Sequence, residues 1–188
     1  MVLSKLAEDT KNMVVTAIGG ADDVLSALRD AVKNQVVGSL KDIGDMATAG
    51  MDAVGDIVKG AVTVAGESGT TITDVVKGAV SSALAGVADV GGNVMDAIGK
   101  TVHGAVTGAA EAGHDVSKVA VSAVEGAIDA AKDLGVDTTE AAKEAVVNVV
   151  KAADEVGGEV GKTVRDALLS AASLPRDVVE KVVKGSEK

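Results

Sequence analysis

The feature that most constrains this chain is a step of 22 residues. Laid in rows that start at Thr16, Gly38, Gly60, Ser82, Gly104, Gly126, Asn148 and Ser170, it lines up column by column without an insertion or deletion. The eighth column is acidic in every row: Asp23, Asp45, Glu67, Asp89, Glu111, Asp133, Glu155 and Asp177. The tenth column carries Gly69, Gly91, Gly113, Gly135 and Gly157. The third is apolar throughout, from Ile18 and Leu40 to Val150 and Ala172. The first is small or polar in every row.

Apolar residues recur at steps of three and four, which is helical spacing and not the alternation of a strand. Six turns per 22 residues make a doubled 11-residue repeat. The pattern therefore predicts an all-α chain of tandem amphipathic helices. Two arrangements satisfy it: long continuous 11-residue-repeat helices, or one helix per unit. Columns ten to fifteen favour the second. Glycine in column ten suits a left-handed helix end. Column twelve offers Thr71, Asn93, Asp115 and Asp137 as N-caps, with Glu159 a poorer one. Each unit would then be a helix of about 19 residues, roughly 28 Å long. A three-residue link would join it to an antiparallel neighbour.

The middle of each such helix falls in column one, at Gly38, Gly60, Ser82, Gly104 or Gly126. A small residue there costs up to about 1 kcal/mol of helix propensity. It also lets two helices cross at close range. That suits the composition: hydrophobic residues make up 47%, yet Phe, Tyr and Trp are absent. The apolar mass is mainly Ala and Val. The chain reads as a single repeat domain over residues 1–188, with atypical caps at 1–15 and 173–188. Gly19 and Gly20 shift the first boundary, and Gly44 and Gly50 blur the next. Ser173-Leu174-Pro175 reads as the start of a short last helix ending near Lys184.

Function classes fall away in turn. A net charge of −10 opposes nucleic acid, whose binding rests on phosphate neutralisation, and opposes electrostatic docking on anionic membranes. No signal-peptide pattern or membrane-spanning run is visible. There is no cysteine. His103 and His114 lack metal-ligand spacing and read as solvated or structural. The run from Gly158 to Thr163 resembles the end of a phosphate-binding loop, but Val156 stands where the first glycine is needed. No nucleophile elbow occurs. The expectation is a protein without catalysis, cofactor or metal. The acidic column reads as a solvated face, with weak collective binding of divalent cations as the functional alternative; single carboxylates do not make a dehydrated calcium cage.

Segments such as Gly60–Gly66 (GAVTVAG) and Lys100–Ala110 (KTVHGAVTGAA) resemble the 11-residue repeats of synucleins and perilipins. The 22-residue period is similar to that of exchangeable apolipoproteins, and late-embryogenesis-abundant proteins share the 11-mer. The resemblance implies a non-catalytic coat on lipid surfaces or a protective role. Departures accompany it: apolipoproteins punctuate with Pro and carry aromatics, and synuclein repeats are Lys-rich. Ala, Val and Gly also gain little on lipid, because burial free energy follows apolar area. A structural, self-assembling scaffold, filament or coat therefore ranks first, with the chain itself as partner in a homo-oligomer or filament. A reversible coat on lipid droplets, membranes or storage granules ranks second, and a conditionally folded stress-protective protein third.

Overall fold

The computed structural model describes residues 2–18, 23–43, 48–65 and 71–185. Among them there are nine helices and no strand: α1 (Val2–Ile18), α2 (Val24–Ile43), α3 (Thr48–Thr63), α4 (Ile72–Asp89), α5 (Val94–Ala112), α6 (Val116–Leu134), α7 (Thr138–Val156), α8 (Gly158–Ser170) and α9 (Arg176–Gly185). The chain is thus one helix per unit and not a continuous rod. Of the residues named above, Gly19, Gly20, Gly44, Asp45, Glu67 and Gly69 lie outside the described residues. Gly50 falls inside α3 and does not break it.

Three links repeat one solution. Gly91, Gly113 and Gly135 have φ of 75°, 74° and 70°, a region that glycine enters without a Cβ penalty. At each, two N–H groups fold back onto the helix just ended. Gly113 donates to Ala110 and His114 to Ala109; Gly135 donates to Lys132 and Val136 to Ala131. These paired bonds satisfy carbonyls that would otherwise be orphaned. The next helix is then capped by a side chain. Thr71 accepts from the Asp74 N–H at 3.3 Å, Asn93 from Met95 at 3.0 Å, and Asp115 from Ser117 at 3.1 Å. Asp137 takes both Thr139 and Glu140, at 2.8 and 2.9 Å.

The α7–α8 link departs from the expected three residues. Gly157 sits at φ 165°, extended and not left-handed, and α8 begins at once with Gly158. The cause is Glu159, which does not cap. Gly157 takes the N-cap position without a side-chain bond. Glu159 falls into the first turn, where the helix dipole favours a negative charge. After α8 the chain turns through Ser173 and Pro175. The Pro175 carbonyl accepts from Val178 and Val179, both at 3.1 Å, to start α9.

Replacing Gly135 with Pro and Asp137 with Ala should melt the α6–α7 junction. The cap alone is worth about 1 kcal/mol, and proline cannot adopt positive φ. Amide exchange at Val136, Thr139 and Glu140 should quicken while that of α4 and α5 stays slow.

From α1 to α7 packing is more extensive between alternate helices than between sequential ones, whereas α8 packs more on α7 than on α6. The helices form two layers, α1, α3, α5, α7 and α9 in one, α2, α4, α6 and α8 in the other. Within a layer neighbours run parallel, since residue numbers rise together across each contact: Asp52 meets Lys100, and Lys59 meets Glu111. Between the layers lies a core of small apolar side chains. Val32, Val54, Val76, Val102, Val124 and Val146 are all fully buried.

Glycine is what allows the helices within a layer to close up. A Cβ on Gly104 would be driven into the Gly55 carbonyl, and one on Gly108 would stand 2.6 Å from the Lys59 oxygen. A Cβ on Gly126 would lie 3.0 Å from the Lys77 oxygen. The expected close crossings therefore occur, but with the helix two places back. Gly60 and Ser82 are buried as well. Gly38 is the exception: it is exposed, and nothing lies within 4 Å of a Cβ placed there. It belongs to the first helix of its layer, so no earlier helix arrives to press on it.

Candidate functional site

Four members of the acidic column land at helix C-termini, while Asp177 stands in the first turn of α9. Asp89 ends α4; Glu111, Asp133 and Glu155 stand in the last turns of α5, α6 and α7. A carboxylate there opposes the helix dipole by roughly 0.3–1 kcal/mol. Three of the four recover the loss from a base two helices back. Lys33 bonds Asp89 at 2.9 Å, Lys59 bonds Glu111 at 2.6 Å, and His103 Nε2 bonds Glu155 at 2.8 Å. Asp133 and Asp177 have no ion-pair partner among the described residues. Asp23 plays another part: its Oδ1 accepts from the Ser26 N–H at 3.1 Å, at the start of α2.

Other bases follow the same alternate-helix rule. Lys77 of α4 reaches Glu125 at 3.2 Å and Asp129 at 3.5 Å on α6. Burial works against the charge on Lys77, but the Glu125 hydrogen bond and charge, with Asp129 beside it, outweigh this and raise its pKa. The hydrogen bond from His103 lowers the Glu155 pKa. These pairs are half-exposed, so each contributes little to stability. Their value lies in fixing register between parallel helices.

One carboxylate is out of place. Asp56 Oδ2 is buried without a hydrogen-bond partner. Burial pushes its pKa up; Lys59 pulls it down, and Asp52 and Glu111 push it up further. A raised folded-state pKa favours the folded chain at low pH, and the advantage is lost as pH rises through that value. At neutral pH the ionised carboxylate is therefore a burden. Asp56→Asn should raise the melting temperature near pH 7. The gain should vanish once the pH falls below the ordinary aspartate range.

No group of three or more His, Asp and Glu side chains that could hold a metal occurs among the described residues. His103 and His114 do not share a face, because Gly113 ends α5 between them. Gly158 to Thr163 opens α8 as helix and forms no loop. No described helix is long and apolar enough to cross a membrane.

Two grooves remain. One, of about 610 Å³, runs between α7 and α9 over Val147, Val150, Val178 and Val182, with Lys143 and Lys181 beside it. The other, of about 630 Å³, lies between α1 and α2 and includes Met13, Thr16, Ala27 and Ala31.

With this geometry in place, comparison with solved structures is informative. The chain superposes on the crystal structure of the de novo designed helical repeat protein DHR7 with a TM-score of 0.52 and 21% identity, over 96% of this chain and 95% of that one. The fold is that of a helical repeat protein. No protein-family model and no curated protein sequence matches the chain. The likeness concerns the fold alone, and the apolipoprotein, perilipin and synuclein resemblance finds no support beyond periodicity.

Reading the sequence missed the alternate-helix contact. Glycines at 55, 86 and 108 lie outside the first column, yet each meets a helix two places away. Their signal was present: Gly104 and Gly108 stand one turn apart on α5, and together make a seat for a parallel neighbour.

Proposed function

We propose that this chain is a non-catalytic structural scaffold, a helical-repeat protein that self-associates and acts by shape and by the charge it displays. One observation carries the reading: the apolar columns are already covered within a single chain. Leu28, Val32, Val36 and Leu40 of α2, and Val102, Ala105, Val106 and Ala109 of α5, have 0–2% of their surface exposed. A lipid coat needs that stripe free to face acyl chains. Here each helix from α2 to α8 would have to leave three or four neighbours to reach a membrane. A protein that folds only on drying or binding would not need close backbone crossings at Gly104 and Gly126. The acidic helix ends keep both edges of the array hydrated and suit a soluble framework.

Circular dichroism with and without lipid vesicles tests this. The scaffold reading expects full helicity in plain buffer, a sharp melt, and no change on adding vesicles. Helicity that appears only with vesicles would replace it with the lipid-coat reading. Helicity only on drying would replace it with the protective one.

A further inference from the structure

The two ends of the array are built differently. At the C-terminal end, α9 folds back on α7 and α8 and buries Leu174, Val179 and Val183 to 5%, 1% and 1% exposure. At the N-terminal end, α2 shows an internal packing face that, among the described residues, no earlier helix of its layer covers. Ala31, Asn34 and Gly38 occupy in α2 the columns that Val119, Ser122 and Gly126 occupy in α6. All three in α6 are buried, and Gly126 lies against Lys77 and Val80 of α4. In α2 two of the three positions are open: Asn34 and Gly38 are exposed and Ala31 is half-buried, and the adjoining groove holds Met13 at 46% exposure.

We propose that this face pairs with the same face of a second copy, α2 against α2 in antiparallel orientation, making a closed two-fold dimer. The inference rests on the self-associating scaffold reading and names its partner and geometry. Charge decides for a like partner. Asp30 and Lys41 border the open face, three helical turns apart, and neither makes an ion pair among the described residues. A two-fold axis passing the middle of α2 near Gln35 brings Asp30 of each copy to Lys41 of the other, twice. Self-complementarity of this kind is what an isologous contact requires. Gly38 and Ala31 then give the close approach that glycine gives inside the array. Each copy's α2 face is used up in the pair, so this contact closes on itself at two.

The test uses the full chain in sedimentation equilibrium, with circular dichroism as the check on folding. The wild type should give the mass of a dimer. Asp30→Lys alone, or Lys41→Asp alone, sets like charges together at both symmetric sites. Each should raise the dissociation constant about tenfold or more at unchanged helicity. Asp30→Lys combined with Lys41→Asp should restore the dimer. Gly38→Arg, which meets open space in one chain, should give monomers that remain helical. A wild type still monomeric at about 100 μM, a mass that keeps climbing with concentration, or a dimer indifferent to the single swaps overturns the proposal. A helical monomer indifferent to vesicles would end the dimer and the self-association but leave a lipid-independent scaffold. Lipid-dependent helicity would end both.

Discussion

Gly104→Ala, a change of one methyl group, should lower the melting temperature by about 10 °C. The added carbon would enter the Gly55 carbonyl, and the backbone of α3 lies behind that oxygen. Overpacking against movable side chains costs about 1–3 kcal/mol; here the obstacle is main chain held in a helix, so about 3 kcal/mol is expected. For a chain of this size each kcal/mol shifts the melt by roughly 2–4 °C. Alanine has the better helix propensity by close to 1 kcal/mol, so the loss must come from the crossing. Gly38→Ala supplies the control in solutions dilute enough to hold the chain as a monomer, because it shares the column and within one chain meets open space. It should leave the melt unchanged or raise it slightly. If Gly104→Ala and Gly38→Ala behaved alike, the close parallel packing of α3 on α5 would be wrong.

The second large effect is expected from Leu84→Ala. Leu84 is fully buried in α4, which touches α2, α3, α5 and α6. Removing a leucine side chain from such a site costs about 3 kcal/mol or more, part transfer and part cavity. A core of Val and Ala has few long side chains able to swing into the gap, so little relaxation is available. Val147→Ala on α7, where the valine is 41% exposed, should cost under about 0.5 kcal/mol. Urea denaturation of the two variants side by side would reveal the difference. Equal midpoints would mean that the layer interface is loosely packed.

The helix ends were the most legible part of the sequence. Glycine and a capping side chain sit two residues apart in fixed columns, and both act locally. The bounds of α5, α6 and α7 therefore follow from Asn93, Asp115 and Asp137 and the glycines that close each helix. The α7–α8 link was misjudged because Glu159 breaks the column and Gly157 takes over as cap. The layering was not legible. Periodicity tells which face of a helix is apolar, but not which neighbour covers it. The acidic column was visible as a pattern, while its partners were not: Lys59 and Glu111 are brought together only by the parallel contact of α3 and α5. Gly38 shows the limit most clearly, since sequence alone groups it with Gly104 and Gly126.

The alternation of layers carries a consequence for how such a chain can change in length. Removing a single unit would send every later helix to the opposite layer and reverse its direction. Taking out the α3 unit would part Lys33 from Asp89, and taking out the α5 unit would part Lys77 from Glu125 and Asp129. A gain or loss of two units keeps every later helix in its own layer and direction, so the architectural step is the pair and not the repeat that the letters display.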